Sequence, residues 1–494
     1  MTTPTTFTEK PALASEEYVI KAMPRFLGTF DMTTTFLMII FYITLTTNIV
    51  SQGAVGITYL LIGAITFFVP CAIASAQLGK LFPHEGSLYN WSYQVLGRYW
   101  SFFSGFCAWL SGILVMVSGG NIIVTYLQGL NHTWLTVPWQ EGLVIIGLIL
   151  FSAILAVQRY RTVQNIVNVV IGFELLAVIL VGLAGVLWLL TGHHPVGSFS
   201  HISDWSVSPS NFVLFGTVAF SYIGAEVPLT MAGEIQKRKA ITRHLFWGVI
   251  VIVVGYLICS FSLLVVEGPV AGSATPFALV SAVDMVLGKF FGDITAFCVI
   301  LFFAISPVVY TYTFGRILLV GSIDRQLPRS MGKLNKYRVP ASAIIFQTII
   351  AVTFVAFAFI IAPALVSFVN PANFALEVYN VSQAAATLVW AISTMFLFIN
   401  LALCYLQHRQ RFHEQRIFPM PVLWASIGIG SIACLVAIVD TLLYAWIPQI
   451  SNGQWWYLVG GLTLVCLIIA AIGSLVANGE ATWEGTESTF GETS

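Results

Sequence analysis

The sequence predicts an all-α integral membrane protein of twelve transmembrane helices, on three observations. Of its 494 residues, 58% are hydrophobic and 9% charged, too little polar surface to cover a soluble globule of this size. Apolar segments long enough to cross roughly 30 Å of hydrocarbon recur twelve times. With the chain threaded through them, every Lys and Arg of the 21 except Lys289 falls on one side.

Taken in order, residues 1–24 carry Glu9, Glu16 and Glu17 and no apolar core ahead of a small-residue cleavage site. They read as a mobile cytosolic tail, not a signal peptide. Turn and charge signals then bound spans near 27–50, 54–77, 101–127, 142–158, 166–190, 211–231, 245–266, 292–314, 341–362, 380–404, 421–444 and 456–477. An even count returns both termini to one side, and the positive-inside bias makes that side the cytosol. The expected location is the plasma membrane, and the lipid bilayer is the expected surrounding. On the opposite face the longer links, near 191–210 and 267–291, are too short for a separate domain. Asn131-His132-Thr133 is a glycosylation sequon on that face. From Asn478 onward the chain carries Glu480, Glu484, Glu487 and Glu492 without a Lys or Arg, the composition of a disordered acidic tail.

Several function classes are disfavoured. Lys+Arg equals Asp+Glu at 21 each, so nothing marks a nucleic-acid binder. Cys71, Cys107, Cys259, Cys298, Cys404, Cys434 and Cys466 all lie in apolar stretches without ligand spacing and read as small core residues. All eight histidines fall in loops or at span ends, leaving no His inside the membrane for a metal centre or a nucleophile–base pair. An enzyme, a metal and a cofactor are therefore not expected.

What remains is the polarity inside the spans. Span 6 contains Phe220-Ser221-Tyr222-Ile223-Gly224-Ala225-Glu226-Val227-Pro228, a carboxylate flanked by a glycine and a proline in an apolar helix. A charge at membrane depth is costly and marks a site by default, and a helix broken there frees backbone groups that a substrate can use. Glu174 in span 5 likewise has no basic neighbour in its span; either carboxylate suits a proton carrier or an amine ligand. Asp31 reads as a helix-start acid and Asp440 as a residue snorkelling from the outer end of span 11. Glu234, followed by Lys237-Arg238-Lys239, suits an ion pair or a gate at the cytosolic mouth. Tyr42, Thr44 and the run to Gln52 in span 1, Ser118 to Asn121 in span 3, and Ser306 with Tyr310 to Thr313 in span 8 complete a polar pathway. Each cluster alone is also compatible with helix packing.

Three stretches resemble the amino acid–polyamine–organocation superfamily of secondary transporters. Gln77-Leu78-Gly79 followed by Pro83, Gly86 and Tyr89 is similar to that family's motif after span 2. Tyr222, Gly224, Glu226 and Glu234 match its aromatic-x-Gly-x-Glu element with a second Glu. Gly315-Arg316, Asp324-Arg325-Gln326-Leu327-Pro328 and Asn335 to Pro340 are similar to its loop after span 8.

The resemblance implies a leucine-transporter-like fold: a 5+5 inverted repeat of spans 1–5 and 6–10, with broken helices 1 and 6 and two accessory helices. The corresponding division is a tail at 1–24, a transport core at 25–404, accessory spans at 405–477 and a cytosolic tail at 478–494. It implies transport of an amino acid or related amine, coupled to protons or to a counter-substrate. Substrate contacts are expected at Tyr42, Thr44, Ser118, Phe220, Ser221, Tyr222, Gly224, Glu226 and Tyr310. Proton coupling or gating is expected at Glu174, Glu226 and Glu234.

The sequence departs from the family where it has no glycine between Gly28 and Gly53, around Phe41–Thr44, and where Gln77 replaces an acid. Those departures leave open whether span 1 is broken without its usual glycines and whether the site takes an α-carboxylate. A polyamine or other cationic amine is the second reading, and a non-transporting membrane sensor of the same fold the third.

Overall fold

The computed structural model describes residues 13–272, 277–365, 374–447 and 450–483. Residues 1–12 of the N-terminal tail and residues 484–494 of the acidic tail lie outside them. Among the described residues twelve helices are long and apolar enough to span: Thr29–Gln52, Val55–Leu81, Arg98–Leu130, Pro138–Ala156, Tyr160–Leu190, Leu214–Glu234, Lys239–Val266, Lys289–Ile323, Ala341–Ile361, Glu377–Gln407, Met420–Leu443 and Asn452–Asn478. They are spans 1 to 12 below. Among the described residues the one extended pairing is an isolated bridge from Leu27 to Ile235.

The spans sort by how much of each faces protein. Spans 3 and 6 are buried along all of their most apolar stretch, whereas spans 4, 9 and 11 are buried over 33% of it and span 12 over 28%. Spans 3 and 6 therefore form the centre, and spans 4, 9, 11 and 12 turn most of their apolar surface outward, where hydrocarbon can cover it. Span 10 runs along span 3 and packs against spans 11 and 12, span 12 also lying against span 3; span 8 packs against both span 3 and span 5.

Spans 1 and 6 are both discontinuous. Span 1 is α-helical from Thr29 to Ile40, leaves the helix at Phe41 (φ −85°, ψ 68°) and Tyr42 (φ −91°, ψ 85°), and resumes as short turns through Gln52. Both residues keep a negative φ, which any L-residue adopts. The break therefore needs no glycine. Span 6 is α-helical from Leu214 to Tyr222, extends at Ile223, turns through Gly224 at φ +110°, and continues as a tighter helix from Val227 to Glu234. Here glycine is required twice over: by its positive φ, and because a Cβ on Gly224 would lie 3.0 Å from Trp390 and 3.3 Å from Ile39. Pro228, in the first turn of the second piece, sits where its missing N–H costs nothing.

Two expectations are corrected. The N-terminal segment is not all a loose tail, for Ala14–Ala22 is a helix with Ser15 and Val19 buried. The backbone N–H and Oγ of Ser15 each donate to Asp324 at 2.9 Å, and Glu16 accepts from Asn90 at 2.7 Å and Gln94 at 3.0 Å. Burial lifts the Asp324 carboxyl to about 7, against the pull of the Ser15 donors.

The second correction is Asp440, which does not snorkel. It is fully buried, and its Oδ2 accepts the N–H of Gly216 at 2.7 Å, capping the first turn of span 6 from span 11. The carboxylate points across the bundle because an unpaired helix-start N–H in an apolar setting has no cheaper acceptor.

Replacing Asp440 with alanine orphans that donor and is expected to cost about 1–3 kcal/mol, read as a lower unfolding midpoint in detergent. Asp440→Asn, which keeps an acceptor oxygen, should retain most of the stability. An alanine variant that unfolds like the parent would rule the cap out.

Candidate functional site

The break in span 1 leaves the carbonyls of Met38, Ile39 and Ile40 without the helical N–H groups that would follow. Each is met by a hydroxyl from another span. Ser306 donates to Met38 O at 3.3 Å, Tyr310 to Ile39 O at 2.7 Å and Tyr256 to Ile40 O at 2.8 Å. Tyr256 Oη also accepts the Tyr42 N–H at 3.0 Å, and Tyr42 Oη shares a 2.8 Å hydrogen bond with Ser306. Unsatisfied, those groups would cost several kcal/mol each in hydrocarbon. Spans 7 and 8 thus supply the bonds the helix gives up.

Aromatic rings close around this knot. The Tyr42 ring meets Phe302 and Phe303 of span 8 at 5.6 and 5.1 Å, and Tyr310 and Phe314 stand against Trp390 of span 10 at 6.4 and 6.0 Å. Trp390 is also the link to span 6, because its Nε1–H donates to Glu226 Oε1 at 2.8 Å. Glu226 is buried, and its Oε2 has no hydrogen-bond partner. Gly224 lies between Ile39 and Trp390, so the two breaks meet.

The structure brings Tyr42, Tyr310, Gly224 and Glu226 together around Trp390 and the span 1 break. The other expected residues make contacts of their own. Ser118 and Ser221 spend their hydroxyls on their own helices, at Val115 O (2.9 Å) and Thr217 O (3.0 Å). Tyr222 turns toward span 2, stacked on Phe68 at 4.8 Å with its hydroxyl on Leu60 O at 3.3 Å. Phe220 faces Trp446, beyond span 11, at 6.1 Å. Thr44 is buried just past the break.

Glu174 is fully buried in span 5, and neither carboxylate oxygen has a hydrogen-bond partner. Tyr126, Cys259 and Cys298 stand within its electrostatic reach. Asn121 in span 3 and Gln383 in span 10 are likewise buried with both polar side-chain atoms unpartnered.

Glu234 lies at the far end of span 6, beside the basic loops. Its Oε1 accepts from Arg316 Nε at 2.8 Å, with both side chains only 1% exposed. Glu85, from the segment after span 2, is buried beside this pair with both oxygens unpartnered. Burial pushes its carboxyl well above the usual range; the charge of Glu234 adds to the shift and Arg316 opposes it. Nearby Asp31 accepts the Gly28 N–H at 3.0 Å, Asn168 at 2.9 Å and Arg161 at 3.3 Å, as a helix-start acid should. Among the described residues no group of His, Cys, Asp and Glu has the arrangement of a metal site.

Sequence reasoning missed Tyr256, Trp390 and Glu85. The first two carry weak signals, a phenol and an indole N–H that need partners in apolar spans. Glu85 has none, because it lies in a loop whose burial no local pattern shows.

Replacing Tyr256 with phenylalanine keeps the ring but removes the hydroxyl that serves both Ile40 O and the Tyr42 N–H. A loss of about 1–3 kcal/mol is expected, read as a lowered unfolding midpoint. A phenylalanine variant that unfolds like the parent would exclude this role for the hydroxyl.

Comparison with known proteins follows the same lines. A family model described as amino acid permease matches residues 26–483. An uncharacterized transporter of Legionella pneumophila is 25% identical over 83% of this chain and 88% of its own length. A gamma-aminobutyric acid permease of Bacillus subtilis is 22% identical, covering 79% of this chain and 81% of that protein. A polyamine transporter of Oryza sativa is 29% identical over 42% of this chain, a match that takes in 38% of the rice protein.

Proposed function

Because this chain belongs to the amino acid permease family, we propose that it is a secondary active transporter carrying an amino acid or related amine by alternating access between its broken spans 1 and 6. The observation that carries this reading is the meeting of the two breaks at Gly224, Ile39 and Trp390, with a free carboxylate oxygen on Glu226. Broken helices that converge on unspent polar groups are how transporters form a site at membrane depth. Spans 1–5 and 6–10 then act as inverted repeats, with spans 11 and 12 accessory. Both termini face the cytosol of a cell membrane, on the side of the basic loops.

The chemistry favours the amine end of the substrate. The Tyr42 N–H at the break, a donor that a substrate carboxylate could use, is already held by Tyr256. Glu226 Oε2 and both oxygens of Glu174 are acceptors in want of a donor. An ammonium group or a proton satisfies either. We assign amine contact to Glu226, with Tyr42, Tyr310 and Gly224 shaping its surroundings, and proton or counter-substrate coupling to Glu174. Arg316–Glu234 serves as the closure at the cytosolic end. The same observation supports a second reading, a polyamine lacking any carboxylate, to which the rice relative's name adds weight.

Uptake into proteoliposomes tests both. Radiolabelled gamma-aminobutyric acid and spermidine are compared with and without an inward proton gradient, for the parent and for Glu226→Gln. Uptake of at least one is expected, reduced tenfold or more in the variant, since loss of a buried charge-assisted contact is worth roughly 1.5–3 kcal/mol. Spermidine uptake resistant to competing amino acids selects the polyamine reading. Full transport by Glu226→Gln removes the charged role of that residue, and binding without flux selects the sensor.

A further inference from the structure

On the face of the basic loops, away from the two breaks, lies a cavity of about 380 Å³. Its wall contains Arg159 and Arg161 at the start of span 5, Arg316 of span 8, and Lys336 and Arg338 of the loop before span 9, against the acid Glu234. That acid is already engaged by Arg316 Nε. Arg161 is shared with Asp31. The cavity therefore carries a surplus of positive charge that its own walls do not neutralise.

Two further features turn a basic surface into a built site. Arg316 is 1% exposed, its guanidinium lies over the Tyr160 ring at 5.3 Å, and its Nη1 has no hydrogen-bond partner. A buried, charged donor without an acceptor is costly. The cavity also receives the N-terminus of the 31-residue helix Tyr160–Leu190, whose first N–H groups and positive pole favour an anion. Basic loops alone follow from membrane topology, but topology does not explain an unpartnered guanidinium nitrogen sealed inside the protein.

We propose that this cavity binds a phosphate-bearing anion, supplied by an anionic lipid headgroup or by a free phosphate compound. Arg316 Nη1 donates to a phosphate oxygen, the start of span 5 offers its helix terminus, and Arg159, Lys336 and Arg338 supply rim charge. Phosphate fits better than carboxylate because its several oxygens can meet guanidinium and helix N–H groups at once. The bound anion ties together the segments before spans 1, 5 and 9 and the side of span 8. The inference does not depend on which substrate is carried.

The test uses the purified full-length chain, the parent beside Lys336→Gln/Arg338→Gln and Arg159→Gln, all at exposed positions. In neutral detergent, inorganic phosphate and pyrophosphate are titrated while the unfolding midpoint is followed, against sodium chloride of equal ionic strength. In a second arm, native mass spectrometry counts phosphatidylglycerol retained in preference to phosphatidylcholine. The expected result is saturable stabilisation or selective retention in the parent, weakened about tenfold in the double variant. A response in the first arm assigns a free phosphate compound, and one confined to the second assigns a lipid headgroup. No response beyond chloride and no lipid preference overturns the proposal, as does equal binding by parent and variants whose unliganded unfolding midpoints match.

Discussion

The fold depends on how the broken helix of span 1 disposes of its unmade backbone hydrogen bonds. Water would accept them at no great cost, but these groups lie deep in protein within a membrane-spanning segment. Three hydroxyls from spans 7 and 8 take the three carbonyls, and one of them, Tyr256, also takes the Tyr42 N–H. The break is thereby a specific joint between three spans. Ser306 is adjacent to Pro307, whose ring removes a bond from span 8 itself, so the two interruptions face each other.

That economy bears on chemistry. Where a break leaves bare N–H groups, it can hold an anionic substrate group; here the Tyr42 N–H is taken by Tyr256, and the three carbonyls by Ser306, Tyr310 and Tyr256. Unspent side-chain capacity includes Thr44 Oγ1, the carboxylates of Glu226 and Glu174 and the amides of Asn121 and Gln383. Buried acceptors without donors attract protons and ammonium groups, which is why the proposed substrate is defined by its amine.

The opposite end of span 6 follows a different rule. Arg316 and Glu234 are both sealed from solvent, and removing either partner would strand a charge. Such a pair contributes little net stability over apolar packing, but it is unforgiving of misalignment, a property suited to a contact that must be fully made or fully parted. Glu85 and the docked helix Ala14–Ala22 crowd the same end.

Much of the architecture was legible in the residues. Span length, the separation of cations from apolar runs and the Gly-x-Glu of span 6 are local properties, and they located twelve helices, the break at Gly224 and the buried acid at Glu226. The break in span 1 was expected from the family resemblance alone and not from its own residues, because Phe41 and Tyr42 use backbone angles open to any residue and are held there by hydroxyls more than two hundred positions away. For the same reason Tyr222 and Ser221, adjacent to the site in sequence, spend their hydroxyls on Leu60 O and Thr217 O, while Trp390 and Tyr256 enter from distant spans. Asp440 looked like a residue reaching for water until packing placed a helix N-terminus against it. By itself the sequence determined that the chain spans the membrane and where span 6 must yield. Only tertiary structure decided which side chains satisfy the freed backbone, because hydrogen-bond partners in a bundle are chosen by which helices touch.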